Sequence, residues 1–267
     1  MTYVQAFILA IIEGITEFLP ISSTAHMKFA NPFLGVADTP FTNMFEVVIQ
    51  LAAILSVVVI YWKKFLDVKH FNFYIKLIIA VIPVLVVGGL FKKHIDAALS
   101  NLAFIASVMI AGGIVLLFIE KFFKNAIVTE EEHISNKTAF TIGCFQVLSV
   151  VFPGLSRSAA TILGGMSQKL TRSLAAEFSF FLAVPTMFAA SVKSFYDVYK
   201  DNPEVLVKEN FSLLGFGAAI SFIVALFSVK FFIHHLQKNG FKLFGYYRII
   251  LGVLFLIVCL SLGIKLN

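Results

Sequence analysis

Charged residues and cysteines are scarce in this 267-residue sequence, and both shortages limit what the chain can be. Charged residues make up 13% of the chain, about half the share typical of soluble domains, which excludes a soluble globular protein. The two cysteines, Cys144 and Cys259, lie far apart in apolar runs, so there is no disulfide framework and no thiolate metal cluster. The N-terminal stretch lacks the basic region and cleavage site of a signal peptide, and we expect it to be retained.

Long apolar stretches take the place of the missing charge. Hydrophobic residues make up 59% of the chain, phenylalanine occurs 31 times, and the mean hydropathy is +0.93. A bilayer core about 30 Å thick needs about 20 apolar residues per helix. Six stretches meet that length, and the predicted spans are Met44–Trp62, Phe73–Phe91, Leu102–Ile119, Leu174–Phe195, Phe211–Val229 and Phe244–Ile264. The sequence therefore predicts an all-α integral membrane protein.

Two further apolar stretches, Thr2–Ala30 and Phe140–Met166, are each interrupted by a proline and a polar cluster. Neither half of either stretch is long enough to cross a bilayer. Irregular backbone at membrane depth is tolerated only inside protein or beside a watery cavity. We therefore expect two re-entrant helix–turn–helix hairpins in addition to the six spans.

The two interrupted stretches resemble each other when Pro20 is aligned with Pro153. The alignment pairs residues of similar chemistry: Glu13 with Gln146, Thr16 with Ser149, Ser23 with Ser156 and, two residues out of register, Glu46 with Glu177. We interpret the chain as one membrane domain, 1–267, made of two repeats, about 1–133 and 134–267. Each repeat has one hairpin and three spans, and because three is odd the repeats insert in opposite orientations. Such inverted repeats place the working site near the membrane midplane.

Lysines set the expected orientation, because cytoplasmic loops carry an excess of positive charge. The net charge of +6 is therefore interpreted as a topology signal and not as a nucleic-acid-binding surface. Lysines cluster around the loops after the first, third and fifth spans: Lys63, Lys64, Lys69 and Lys76, then Lys121, Lys124 and Lys137, then Lys230, Lys238 and Lys242. With these loops in the cytoplasm, both termini lie outside.

The first polar cluster holds two carboxylates, three hydroxyls and a histidine, namely Glu13, Glu17, Ser22, Ser23, Thr24 and His26. Glu13 and Glu17 are four residues apart and share one helix face. Charged residues at membrane depth cost about 2.5–3.5 kcal/mol each and are functional by default; the alternative is an interfacial position without a role. An unperturbed histidine titrates near neutrality, so His26 is either a general acid or base or an interface anchor.

The second polar cluster runs from Pro153 to Thr161 and holds one cation and three hydroxyls, namely Ser156, Arg157, Ser158 and Thr161. An arginine and serines at a helix start are typical of a phosphate site. The alternative is a capped helix with an anchoring arginine. Arg248 lies near the start of the last span with no hydroxyl cluster around it, so we expect Arg248→Lys to be nearly silent. Ser22, Glu46, Gln146 and Glu177 are secondary candidates, and the two glutamates are equally explained as ordinary helix-end residues.

Both clusters together resemble the undecaprenyl-diphosphate phosphatases of the bacitracin-resistance type. The matching runs are Glu-Gly-x-Thr-Glu-Phe-Leu-Pro-x-Ser-Ser-Thr-x-His, beginning at Glu13, and Pro-Gly-x-Ser-Arg-Ser-x-x-Thr, beginning at Pro153. The resemblance covers essentially the whole chain, with Ala25 and Ala159 standing where glycine is common in the family. It implies a multi-pass enzyme of the bacterial cytoplasmic membrane that hydrolyses undecaprenyl diphosphate to undecaprenyl phosphate and inorganic phosphate on the extracytoplasmic side. That reaction recycles the lipid carrier for peptidoglycan synthesis and confers bacitracin resistance.

The resemblance implies that seven residues occupy functional positions: Glu13, Glu17, Ser23, His26, Ser156, Arg157 and Thr161. The expected catalytic residues are Glu13, Glu17, Ser23, His26 and Arg157, and the expected phosphate-binding residues are Ser156, Arg157, Ser158, Thr161 and Thr24. We expect Glu13 and Glu17 to hold a divalent cation, Mg²⁺ or Ca²⁺, since these ions prefer oxygen ligands. Ser23 is the candidate nucleophile, with His26 as its base or as the acid for the leaving phosphate. Direct attack by water is the open alternative.

Transport is the rival function, because inverted repeats with broken helices are typical of transporters. A carrier that flips undecaprenyl phosphate, or an ion-coupled exporter, needs the same anion site, and a non-catalytic bacitracin- or lipid-binding protein is a third interpretation. A Ser–His pair beside two carboxylates favours the enzyme. Phosphatidate-type phosphatases need a histidine six residues after Arg157, where this chain has Leu163. The residues leave the oligomeric state open, a homodimer included.

Overall fold

The computed structural model describes residues 1–66, 71–123, 125–264 and 266, and within these ranges the regular structure is helical apart from one isolated bridge between Val128 and Leu170. The α-helices are α1 Tyr3–Thr16, α2 Ser23–Leu34, α3 Pro40–Ile60, α4 Trp62–Leu66, α5 Phe71–Leu90, α6 Lys92–Ser100, α7 Leu102–Phe122, α8 Asn136–Val151, α9 Arg157–Ser167, α10 Arg172–Asp201, α11 Lys208–Asn239 and α12 Lys242–Leu262. Short 3₁₀ helices lie at Glu131–His133 and Pro203–Val205. Lys69 and Lys124 of the predicted lysine-rich loops lie outside the described residues.

Six of these helices are long and apolar enough to cross a membrane, which confirms the predicted number of spans. Helices α3, α5, α7 and α12 agree with the predicted bounds to within four residues at each end. Helices α10 and α11 are longer than predicted, at 30 and 32 residues. The predicted span Leu174–Phe195 stops short of the end of α10, where Asp197 pairs with Lys193 one turn earlier and with Lys92 on α6. A pair four residues apart stabilises a helix.

Large apolar side chains are exposed along the six long helices. Ile78 on α5, Phe227 on α11 and Leu260 on α12 have 61%, 71% and 74% of their surface exposed. Water-soluble proteins rarely expose apolar surface so continuously. The outer surface of the helices therefore fits lipid, as the composition predicted.

Each interrupted stretch folds as two shorter helices joined by a turn. The first turn, residues 17–22, joins α1 to α2, and the second turn, residues 152–156, joins α8 to α9. Each turn ends on a serine with a left-handed backbone, Ser22 with φ 69° and Ser156 with φ 76°. In both, the serine Oγ accepts a hydrogen bond from the backbone N–H three residues later and caps the following helix. Left-handed serines are uncommon, and such backbone strain clusters at functional sites.

The helices pack in a reciprocal pattern that brings the two turns together. Helix α1 packs on α11 and α8 packs on α5, while α3 packs on α10 and α7 on α12. Glycines allow the closest approaches, since a Cβ at Gly14 on α1 would stand 2.7 Å from the carbonyl oxygen of Ser221 on α11. Gly143 on α8 lies in the same way against the backbone of Ala80 on α5. Each interrupted hairpin is thereby held by a long helix of the other half of the chain.

Candidate active site

The two turns line one cavity of about 400 Å³. Its polar lining comes from both hairpins and from α3 and α10: Glu17, Ser22, Ser23, Thr24, Gln50, Gln146, Ser149, Ser156, Arg157, Thr186 and Lys193. Apolar side chains of α3, α5, α6 and α10 complete its wall. The structure thus brings together members of the two predicted clusters that lie more than 130 residues apart in the sequence.

Glu17 is the centre of the hydrogen-bond network in this cavity. Its Oε2 accepts a 2.6 Å hydrogen bond from Ser23 Oγ and a 3.0 Å bond from Gln50 Nε2. Its Oε1 accepts a 3.0 Å bond from Arg157 Nη2, and both side chains of this ion pair are largely buried. A charge-assisted hydrogen bond of this kind is strong, so Glu17 fixes the Ser23 hydroxyl and the Arg157 guanidinium relative to each other.

Arg157 uses only some of its N–H groups in hydrogen bonds to the protein. Nη2 donates to Glu17, Nη1 donates to the backbone carbonyl of Ser179 at 2.9 Å, and the buried Nε has no hydrogen-bond partner among the described residues. A guanidinium carries five N–H donors in a planar fork that fits phosphate oxygens. Arg157 is therefore positioned in the cavity with donors left for an anion.

Glu13 is fully buried, and neither of its carboxylate oxygens has a hydrogen-bond partner among the described residues. The charged side chains that act on it, Glu17 and Glu46, are also acidic. A buried carboxylate without a partner is costly and calls for a proton or a cation. The described residues contain no group of three or more acidic, histidine or cysteine side chains placed to hold a metal, so a cation here also needs hydroxyl or amide oxygens.

Those oxygens are present beside the two carboxylates. Ser23 and Gln50 both contact Glu17, and each carries an oxygen of the kind that Mg²⁺ and Ca²⁺ accept as a ligand. The residues present therefore fit a hard divalent cation, with Glu13 and Glu17 supplying the charge.

Two of the hydroxyls predicted to bind phosphate form hydrogen bonds within the protein instead. Ser158 Oγ donates to the carbonyl of Leu19 at 3.0 Å, which links the second hairpin to the first turn. Thr161 Oγ1 donates to the carbonyl of Arg157 at 2.9 Å and contacts Ser179 Oγ at 2.6 Å. Both side chains are fully buried and neither lines the cavity. Within the second cluster, Ser156 and Arg157 line it, and Thr24 lines it from the first hairpin.

The structure does not bring His26 to Ser23. The Nδ1 atom of His26 lies 2.7 Å from the carbonyl oxygen of Ser22, and Nε2 lies 2.8 Å from the hydroxyl of Tyr247. Because a carbonyl only accepts, Nδ1 carries a hydrogen, and in the neutral ring Nε2 accepts from Tyr247. The Ser23 hydroxyl has Glu17 as its partner. The expected Ser–His pair is therefore replaced by a Ser23–Glu17 pair.

The comparisons with known proteins decide the family. A family model described as bacitracin resistance protein BacA matches residues 6–254. The chain belongs to the BacA family. Similar proteins named undecaprenyl-diphosphatase occur in Flavobacterium psychrophilum, with 52% identity over 258 residues covering 97% of this chain and 96% of the relative, and in Porphyromonas gingivalis, with 45% identity over 282 residues covering 100% and 99%. These matches confirm the resemblance inferred from the motifs.

The secondary candidates of this BacA-family chain have different surroundings. Gln146 lines the cavity and donates to Thr186 Oγ1 at 3.2 Å. Glu46 is buried, pairs with Lys28 at 3.1 Å, accepts from Asn31 at 2.9 Å and lines an adjoining cavity. Glu46 is therefore a buried, paired residue within α3.

Glu177, the predicted counterpart of Glu46, does not line the cavity between the two turns. Its Oε1 accepts a 2.7 Å charge-assisted hydrogen bond from Lys64 Nζ, and Lys64 also pairs with Glu131. Burial alone lowers the pKa of Lys64, but the two carboxylates outweigh burial and raise that pKa above its ordinary value. Glu177 is therefore part of a structural ion-pair cluster.

Arg248 contacts both turns, a placement that the sequence reasoning missed. It is fully buried and donates hydrogen bonds to backbone carbonyls of both turns, including Pro20 at 3.0 Å and Leu155 at 2.7 Å. The expectation that Arg248→Lys is nearly silent rests on the absence of hydroxyls near Arg248 and takes no account of these backbone carbonyls. The available signal was the arginine itself, because a lone charge inside an apolar span is functional by default.

Proposed function

We propose that this chain hydrolyses undecaprenyl diphosphate to undecaprenyl phosphate and inorganic phosphate, and so recycles the lipid carrier for peptidoglycan synthesis and confers bacitracin resistance. The observation that carries the proposal is the Ser23–Glu17–Arg157 chain of contacts in one cavity between two helix starts. Relatives along nearly the whole chain bear the name undecaprenyl-diphosphatase. The apolar part of the cavity wall suits an isoprenoid next to its headgroup.

The diphosphate headgroup binds to the N-terminal ends of two helices and to the guanidinium of Arg157. Helices α2 and α9 begin at Ser23 and Arg157, and both starts adjoin the cavity. The free N–H groups and the dipole of a helix start favour phosphate, and Arg157 adds a full positive charge. Phosphoryl transfer depends mostly on such positioning and charge neutralisation.

Ser23 is the proposed nucleophile and Glu17 its base. The Ser23 hydroxyl already donates to Glu17 Oε2 at 2.6 Å, so its proton passes to that carboxylate as Oγ attacks the terminal phosphorus. The bond from phosphorus to the bridging oxygen then breaks, and undecaprenyl phosphate leaves. Water next hydrolyses the phosphoserine, releases inorganic phosphate and restores the serine. Direct attack by water, with Glu17 as the base, is the alternative.

A divalent cation, Mg²⁺ or Ca²⁺, is the proposed cofactor. Glu13 and Glu17 would hold it, with Ser23 and Gln50 as neighbouring oxygen donors. When bound, it neutralises phosphate charge as a Lewis acid. Glu13 supplies the unpartnered buried charge that such an ion balances.

The proposed membrane arrangement is an inverted repeat with two re-entrant hairpins and an extracytoplasmic site. The reciprocal packing of α1 on α11 and α8 on α5 supports it. Cysteines placed at Lys63 and Asp201, both exposed, are expected to react from opposite sides of intact cells; labelling from one side contradicts the arrangement. The homodimer stays a prediction, which light scattering of the purified protein measures.

Phosphate release by detergent-purified protein separates hydrolysis from transport. Micelles have no two sides, so a pure carrier releases no phosphate from farnesyl or undecaprenyl diphosphate, whereas the proposed enzyme does. Glu17→Gln is expected to remove the release. Ser107→Ala is the matched control, because Ser107 is exposed on α7 and bonds only to its own helix, and it is expected to retain full activity.

A further inference from the structure

Arg248 is a buried cation whose partners are all backbone carbonyls. Its side chain has 0% of its surface exposed, and among the described residues it forms no salt bridge. Nε donates to the carbonyl of Met109 at 3.1 Å, Nη1 to those of Pro20 at 3.0 Å and Leu155 at 2.7 Å, and Nη2 to that of Gly154 at 2.8 Å. Buried charges are normally paired with opposite charges, so this set of contacts calls for an explanation.

Three of the four carbonyls belong to the turns that line the cavity. Pro20 lies in the first turn, and Gly154 and Leu155 lie in the second turn. One rigid, planar guanidinium therefore spans both turns and fixes their separation. The space for it exists because α7 has a glycine beside it: a Cβ at Gly112 would stand 3.0 Å from Cζ of Arg248 and would also meet Nη2.

The contacts also orient the peptide groups of the second turn. In a trans peptide the C=O and the following N–H point in opposite directions. Because the carbonyl of Leu155 points to Arg248, the N–H of Ser156 points away from it. That N–H donates no hydrogen bond among the described residues, and Ser156 lines the cavity. The arginine thereby leaves an amide donor available for an anion.

The residue before Arg248 holds the first turn at a second point. Tyr247 bonds to His26, and His26 bonds to the carbonyl of Ser22, the left-handed residue that ends the first turn. Two successive residues of α12 are therefore linked to the first turn, Arg248 directly and Tyr247 through His26, and Arg248 also contacts the second turn.

We propose that Arg248 is a positioning residue that sets the distance between the two turns, so that one ligand with two phosphate groups contacts both at once. The inference rests on the proposed function and goes further by assigning diphosphate selectivity to a side chain outside the cavity. A single phosphate needs only one turn and depends less on their separation. A lysine keeps the charge but has a single nitrogen and cannot reach four carbonyls.

Binding of two probes to the purified protein tests this inference. Arg248→Lys is expected to weaken binding of farnesyl methylenediphosphonate, which is not hydrolysed, by about 10- to 100-fold, the effect of losing one charge-assisted hydrogen bond. Inorganic phosphate is expected to lose less than about threefold, well under the 1.4 kcal/mol of a tenfold change. Calorimetric titration in detergent measures both. A general loss of structure lowers the binding-competent fraction and leaves the ratio of the two dissociation constants unchanged.

Gly112→Ala provides an independent second variant, because its added methyl group displaces the guanidinium without altering Arg248. It is expected to change the same ratio, and Gly112→Ala with Arg248→Lys together should be no worse than the poorer single variant, since both act on one contact. Gly252→Ala is the control: its Cβ meets Ile110 at 2.7 Å in the same α7–α12 interface, away from the guanidinium, and the ratio should stay unchanged.

An unchanged ratio in Arg248→Lys, or equal ratios in Gly112→Ala and Gly252→Ala, overturns the inference. If Arg248→Lys does not fold, the comparison of this ratio between Gly112→Ala and Gly252→Ala tests the inference by itself. A wild-type protein that releases no phosphate but shows the shifted ratio in the variants contradicts the proposed function and leaves the role of Arg248 supported.

Discussion

At the starts of α2 and α9 the backbone is nearly the same, with a left-handed serine that caps the helix through its Oγ. The side chains around the two starts differ. The first hairpin carries Glu17 beside Ser23, whereas the second carries Arg157 and no carboxylate in its turn. The comparison shows the same helix-start geometry at two places, one carrying the proposed nucleophile and its base and the other carrying the proposed anion clamp.

Removal of the charge on the first turn is expected to have the largest effect. Glu17→Gln eliminates the proposed base and the ion pair to Arg157, so turnover should fall by about three orders of magnitude or more. Glu177→Gln is the matched control, because Glu177 pairs with Lys64 away from the cavity, and its turnover should be close to wild type. Steady-state phosphate release from undecaprenyl diphosphate measures both; equal losses would remove the distinction between the two carboxylates.

Loss of the unpartnered carboxylate is expected to act through the cation. Glu13→Gln should lose most activity and need more Mg²⁺ or Ca²⁺ to reach its maximum, and the double variant with Glu17→Gln should be no worse than roughly the poorer single variant. Calorimetric titration of the cation into the protein checks the binding directly. Wild-type cation affinity in Glu13→Gln would contradict the assignment.

Arg157→Lys tests the clamp on the second turn. Lysine keeps the charge but cannot make two parallel hydrogen bonds to phosphate. Losing one bond of about 1.5–3 kcal/mol in the transition state slows turnover by roughly 10- to 150-fold, with Arg157→Ala slower still. The measurement is phosphate release per folded protein at saturating cation. Full activity of Arg157→Lys would contradict the clamp and favour an interface anchor.

Ser158→Ala is expected to have the smallest effect. The Ser158 hydroxyl links the hairpins through the carbonyl of Leu19 and does not line the cavity. Its loss should lower the free energy of unfolding by about 1 kcal/mol and change turnover by less than about threefold. Thermal unfolding in detergent and phosphate release from the same preparation separate the two quantities; a large fall in turnover would place the hydroxyl on the substrate.

The six long helices and both interruptions could be predicted because hydropathy and proline are local properties of the sequence. The roles within the clusters could not. Ser156, Ser158 and Thr161 share one short motif, and only the rotation of α9 decides that Ser156 lines the cavity while the others bond inward. The sequence predicts His26 as the base or acid beside Ser23, but the His26 ring bonds to Tyr247 on α12.

Arg248 shows the same limit over a longer distance. The carbonyls it contacts belong to residues 93 to 228 positions away. Because every residue carries a backbone carbonyl, the residue types do not reveal these contacts. Only the tertiary packing of α7 on α12, made close by Gly112, brings the guanidinium beneath both turns.

The most direct test of the two-turn account compares Ser23, the first residue of α2, with Ser156, the capping residue before α9. Phosphate release from undecaprenyl diphosphate is measured for wild type, Ser23→Ala and Ser156→Ala at saturating substrate and cation. The account predicts that Ser23→Ala loses about three orders of magnitude or more in turnover, whereas Ser156→Ala, which loses a helix cap of about 1 kcal/mol, stays within about tenfold of wild type. Ser23→Ala activity within tenfold of wild type, or equal losses in the two variants, would contradict it.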